Sequence, residues 1–205
     1  MDIFANLGGI TRQVAGGERD GKATRIVIAE RDFPSPPYDV WDALTNPERI
    51  PRWLLPVRGE LRLGGRYELE GNASGTITDC EPPRHLAATW EYGGEVSWID
   101  VVLTGADDDG THLRLEHSAH TDDDRWIEFG PGAVGVGWDL AFLGLAEHLV
   151  TRASVQHDES APSPELITFM RMSSDDWCRA SIEAGTPAEE ARAAADRTTA
   201  AYTGS

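Results

Sequence analysis

Few side chains in this sequence could carry chemistry, and the histidines come first. His112, His117 and His120 lie close together in one alternating stretch. On an extended strand successive side chains face opposite sides, so His112 and His120 share a face and His117 points the other way. The three cannot converge on one ion, and no metal site is expected. His117 shares its parity with Leu113 and Leu115, so if the leucines face the core the imidazole faces it too. A histidine so placed is a hydrogen-bonded core residue, or a general acid or base where a cavity admits substrate. His117 is therefore the candidate catalytic residue, although the sequence names no partner for its proton.

Other chemical motifs fail on spacing. The acidic runs Asp107–Asp109 and Asp122–Asp124 lack the alternating ligands and closing glutamate of a calcium loop and read as solvated turns. Gly71-Asn72-Ala73-Ser74-Gly75 places its serine one position late for a nucleophile elbow and leads into a strand instead of a helix. Gly132, Gly135 and Gly137 have the wrong order for a dinucleotide loop, and the single lysine, Lys22, lies outside any phosphate loop. No cofactor is expected. Asn72-Ala73-Ser74 is a formal glycosylation sequon, without consequence in a cytoplasmic chain. Cys80 and Cys178 match no ligand spacing and read as packing thiols.

Aromatic residues form the second group of candidates. The same parity rule puts Trp90 with Leu86 and Ala88, Tyr67 with Leu69, and Leu103 with Ile99 and Val101. Trp53, Trp138 and Phe142 would add aromatic walls from helices. Tyr67, Trp90, Leu113, Leu115 and His117, together with these three, make the candidate ligand-binding set. Each ring also has a plain reading as core filler.

The elements that must position these residues are legible in outline. A short amphipathic helix is expected around Ile3, Phe4, Leu7 and Ile10, followed by a linker over Gly16 to Lys22. A strand over 23–33 stops at Pro34, Pro36 and Pro37, and a helix follows through Trp41 and Leu44. Asn46-Pro47 is expected to restart a helix that ends at Pro56. From 57 to 121 short alternating runs separated by turn clusters read as an antiparallel meander, with strands at 57–63, 66–70, 75–81, 85–92, 95–105 and 111–121. A long apolar helix is expected over 134–150, with more apolar surface than one stripe. A polar loop from Ser154 leads to a helix carrying Leu166, Phe169, Met170 and Trp177. Thr186-Pro187 then opens an alanine-rich helix as N-cap and first-turn proline.

Composition bounds the function classes. In 205 residues, 18 Lys plus Arg stand against 35 Asp plus Glu, a net charge of −17. Nucleic acid would be repelled over most of such a surface, and an anionic membrane would not attract it. No apolar run is expected to reach the roughly 20 residues of a spanning helix. The amino terminus has no sustained apolar stretch of a secretory signal, so a soluble cytoplasmic protein is expected.

The order strand, two short helices, six strands and long helix, with Val40–Pro56 (VWDALTNPERIPRWLLP), Leu61–Leu69 (LRLGGRYEL), the proline turn before His85–Tyr92 (HLAATWEY), Gly110–His117 (GTHLRLEH) and Gly137-Trp138, resembles a known superfamily. It is similar to the START-like, birch-pollen-allergen-like (SRPBCC) group, and within it to the homologues of the activator of heat-shock-chaperone ATPase (the AHSA family). The resemblance covers about residues 23 to 150. It implies an α+β helix-grip fold: a curved antiparallel sheet wrapped around the long C-terminal helix, with an apolar cavity between them. The expected organisation is an N-terminal helix and linker (1–22), a START-like helix-grip domain (23–152), and an α-helical C-terminal extension packed on that domain (153–205).

Function is expected to be binding of a small hydrophobic or aromatic ligand in that cavity, with cyclase-like turnover through His117 as its enzymatic version. The alternative is a co-chaperone-like interaction domain with a chaperone ATPase as partner. The separate amino-terminal domain of the eukaryotic activators is not expected here, and an acidic helical tail is expected instead. A remote alternative is a self-sacrificing resistance protein, cleaved in glycine-rich segments such as 130–137. The apolar surface of 134–150 is explained equally by a homodimer and by cover from Leu166, Phe169 and Trp177 of the same chain.

Overall fold

The computed structural model describes residues 2–121, 124–152 and 162–204. Asp122, Asp123 and most of the polar loop expected from Ser154 lie outside the described residues. The elements are α1 (Ile3–Gly8), β1 (Thr11–Arg19), β2 (Lys22–Phe33), α2 (Pro37–Thr45), β3 (Val57–Gly59), β4 (Arg66–Leu69), β5 (Ser74–Glu81), β6 (His85–Tyr92), β7 (Glu95–Gly105), β8 (Thr111–His120), α3 (Asp124–Phe129), α4 (Gly132–Thr151), α5 (Pro164–Glu183) and α6 (Ala188–Thr203). The strands form one curved sheet in the order β1-β2-β8-β7-β6-β5-β4-β3, and the pairs from β3 to β8 are antiparallel. This is the α+β helix-grip fold.

Four local expectations are corrected. Gly16–Lys22 is not a linker: it closes β1 and turns at Asp20-Gly21 into β2. Both turn residues have positive φ, 53° and 74°, the geometry that an Asp-Gly pair favours in a two-residue hairpin. The helix expected after Asn46 shrinks to one 3-10 turn, Ile50–Arg52, because Pro51 removes a backbone donor and crowds the preceding turn. Asn46 caps only the turn before it, its side-chain oxygen accepting from the Glu48 N–H at 2.9 Å. The first meander strand ends at Gly59, whose φ of 102° turns the chain away. At α6 the cap position is Pro187, and Thr186 instead accepts a hydrogen bond from the Ser181 hydroxyl at 3.0 Å. The helix α3 was not expected from sequence at all.

The chain divides into two compact units. The first takes the described parts of 1–29, 119–143 and 157–205, and the second those of 30–118 and 144–156. The first unit buries Leu7, Ile10, Val136, Phe142, Phe169 and Trp177. Its α5 and α6 pack together, and Gly135 of α4 is the seat for Trp177, since a Cβ there would fall inside the indole. The second unit buries Val40, Trp53, Tyr67, Leu103, Leu113, Leu115, Leu145 and Leu149. In that unit the Trp53 carbonyl occupies the space a side chain at Gly144 would fill.

The helix α4 also corrects the expectation about apolar runs: its 20 residues are long and apolar enough to cross a membrane by length and composition alone. Within the protein 61% of its apolar window is buried, and it carries the buried polar residues Asp139 and His148, which mark it as a core helix.

Candidate functional site

The second unit assembles its site on the inner face of β4 to β8. Gly93 and Gly94, both at positive φ, let β6 return tightly into β7, which sets Trp90 opposite Ser97 and Ala88 opposite Ile99. β7 pairs with β8 so that Ile99 faces His117, Val101 faces Leu115 and Leu103 faces Leu113. Ala88, Ile99 and His117 therefore form one row across three strands, with Ile77 of β5 continuing it beside Ala88. Tyr67, Leu69, Ile77, Ala88 and Ile50 make a buried cluster against which Leu54, Leu86, Trp90 and Ile99 pack while keeping part of their surface accessible.

His117 is buried, 4% exposed. Its Nε2 lies 2.8 Å from the Ser97 hydroxyl, and its ring meets Trp90 edge-on at 5.9 Å between centroids. The Ser97 hydroxyl has one proton and donates it to the Trp90 carbonyl at 3.1 Å. With that bond made, its oxygen accepts from His117 in the Nε2–H tautomer. Burial away from water drives the His117 pKa down to about 4, so the ring is neutral around pH 7. This arrangement supports hydrogen bonding and shape recognition, and it disfavours an imidazolium acid.

The other sequence candidates fall as follows. Leu113 and Leu115 are buried on the same face as His117. Tyr67 is buried and donates its hydroxyl to the Thr89 carbonyl at 2.7 Å, and burial raises its pKa. Trp53 is buried, its indole N–H donating to the Ala43 carbonyl at 3.0 Å, which ties the 3-10 turn to α2. Trp90 is half-buried. Trp138 and Phe142 stand on the part of α4 that belongs to the first unit, Phe142 buried and Trp138 half-buried.

Sequence reasoning missed Ser97, although the signal was present: Ser97 shares its parity with Ile99, and antiparallel pairing of β7 with β8 brings that parity beside His117. It also missed Arg49. This guanidinium is 13% exposed, donates from Nη1 to Asp39 at 2.9 Å and Asp42 at 2.8 Å, and from Nε to His148 Nε2 at 3.2 Å. Arg152 adds a second bond pair to Asp39, and the two arginines hold the Asp39 carboxyl below its ordinary pKa. No spacing rule links positions so far apart.

The outer face of the same strands is ionic. His112 Nδ1 lies 2.7 Å from Asp32, and Arg114 bridges Glu30 and Glu116 at 2.5 and 2.7 Å. His85 Nε2 lies 2.9 Å from Asp100, which raises the His85 pKa. His112 thus sits on the face opposite His117, as alternation requires.

With this geometry in hand, comparison with known proteins is informative. The sequence model of a family described as "Activator of Hsp90 ATPase homolog 1-like protein" matches residues 34–150. CalU16 from Micromonospora echinospora is 32% identical: its crystal structure aligns at a TM-score of 0.70 over 83% of this chain and 97% of that one. Its solution NMR structure aligns at 0.72 over 86% and 97%. MLL2253 from Mesorhizobium loti is 28% identical and aligns at 0.55 over 64% of this chain and 100% of its own. PFC0360w from Plasmodium falciparum, described as an HSP90 activator, is 20% identical and aligns at 0.53 over 61% and 95%, a likeness of fold alone. No curated protein matches. The match runs over more than half of the chain, through the strands and helices that build the His117 row, and the chain belongs to the family of activator of Hsp90 ATPase homolog 1-like proteins.

Proposed function

We propose that the inner face of β4 to β8 binds a small hydrophobic or aromatic molecule. One observation carries this reading: Leu54, Leu86, Trp90 and Ile99 line the core side of the sheet yet keep accessible surface, where a filled core would bury them. Trp53, Tyr67, Trp90, Leu113, Leu115 and His117 are the binding residues of this unit. The ligand meets apolar walls and a neutral imidazole, so an uncharged or weakly polar aromatic suits the site better than an anion. In this reading residues 23–152 act as the helix-grip domain and 153–205 as its extension.

The test is native mass spectrometry of the protein from its own host against its denatured mass. A discrete added mass that Trp90→Ala removes supports the reading. If no adduct forms after incubation with a panel of apolar aromatics, and tryptophan emission does not change on titration, the reading fails. Turnover, if a bound compound undergoes any, should be lost in His117→Ala with affinity largely kept. Unchanged turnover removes His117 from the chemistry.

The family description favours a second reading, an interaction domain acting on a chaperone ATPase. Stimulation of purified Hsp90 ATPase by this protein, undiminished in Trp90→Ala, would support that role and separate it from ligand binding.

A further inference from the structure

The segments on either side of the family match, before residue 34 and after residue 150, meet on one atom. Asp139 of α4 is fully buried, and its Oδ2 accepts from Arg12 Nε of β1 at 2.9 Å, from the Ser173 hydroxyl of α5 at 2.5 Å and from the Trp177 indole N–H of α5 at 3.1 Å. Its Oδ1 has no partner among the described residues. Arg12, 6% exposed, is saturated by the same assembly: Nη1 reaches the Ile10 carbonyl at 2.9 Å and Asp176 of α5 at 3.0 Å, and Nη2 the Leu7 carbonyl of α1 at 3.2 Å. Among the described residues, the Arg12 guanidinium is the charge that favours the Asp139 carboxylate, against the burial that opposes it.

These bonds depend on one another. If α5 lifts, Asp139 loses Ser173 and Trp177 and Arg12 loses Asp176, and water enters and screens the ion pair. If β1 lifts, Asp139 is left as a buried carboxylate without its cation, which is strongly unfavourable. Further packing and hydrogen bonds follow the same division. Trp177 fills the notch at Gly135, the Thr198 hydroxyl of α6 bonds the Phe129 carbonyl at 2.8 Å and leaves no room for a side chain at Gly132, and the Tyr202 hydroxyl bonds the Ala133 carbonyl at 3.1 Å.

We propose that α1 and β1, from before the family region, and α5 and α6, from after it, form one cover over the 132–139 stretch of α4, clasped at Asp139, and that the cover opens as a single unit. It is a strap and a lid in one device: the amino-terminal strand holds the C-terminal helices in place.

Native-state hydrogen exchange on the unmodified protein, with denaturant raised below the unfolding transition, tests this. Amides of β1, α5 and α6 are expected to merge onto one opening event while those of β6 and β7 stay protected. In Arg12→Ala, α5 amides should exchange at least about a hundredfold faster, with β6 and β7 unchanged. Separate opening of β1 and α5, opening of the cover together with β6 and β7, or an unchanged α5 in Arg12→Ala would overturn the proposal. The wild-type experiment decides the matter if the variant does not fold.

Discussion

His117 and His85 sit on opposite faces of the same sheet, and their protonation moves in opposite directions: burial lowers the His117 pKa, while the hydrogen bond to Asp100 raises that of His85. The folded protein disfavours charge on His117, whose pKa falls from 6.5 to about 4. The unfolded chain therefore binds the extra proton between those values. The stability linked to His117 is complete above about pH 6.5 and is lost as pH falls toward 4, by about 3 kcal/mol in total. Denaturant midpoints measured from pH 7 to 4 should show this slope in the wild type and a shallower one in His117→Gln. Equal slopes would mean that the ring is hydrated or already charged. His85 behaves oppositely, because Asp100 favours its charged form. Its contribution is full below pH 6.5 and is lost as pH rises through the raised folded value, so His85→Gln should flatten the profile on that side only. An NMR titration of the imidazole protons would separate the two rings directly. At this scale the sequence was half legible: alternation turned His117 inward with Leu113 and Leu115, but the Ser97 hydroxyl beside it comes from another strand and needs the register to be seen.

Among the elements, α4 shows how much glycine placement can determine. Gly135 receives the Trp177 ring and Gly144 receives the Trp53 carbonyl, so a methyl group at either site meets atoms that cannot easily retreat. Gly135→Ala and Gly144→Ala should each lower stability by about 1–3 kcal/mol, despite the gain in helix propensity, and Gly144→Ala the more because its obstacle is backbone. A thermal melt at or above the wild-type midpoint for either variant would show that the neighbour moves aside. The periodicity of 134–150 announced the helix, and β6 and β7 follow their alternating sequences end to end. β1 escaped notice because most of its side chains are exposed and Gly16 and Gly17 dilute its pattern, leaving only the Asp20-Gly21 turn as a signal. The question left open about the wide apolar surface of α4 has an answer in its first half, where Trp177 of the same chain fills the notch at Gly135.

For the molecule as a whole, charge is the dominant property. A net charge of −17 makes the folded surface repel itself, and screening should relieve that strain. Raising salt from about 10 mM to about 500 mM is expected to increase the melting temperature, most at low ionic strength where the Debye length is longest. A melting temperature that falls with salt would mean that specific pairs, such as Arg12 with Asp139, outweigh the general repulsion. Among all those charges the cations are arginine, with one exception. Lys22 stands exposed at the start of β2, just past the Asp20-Gly21 turn. The chain thus offers acylating reagents a single side-chain amine, fixed at one end of a hairpin. A dye, a biotin or a surface tether carried on a lysine side chain would sit at this one position, with no residue of the His117 row altered to make it possible.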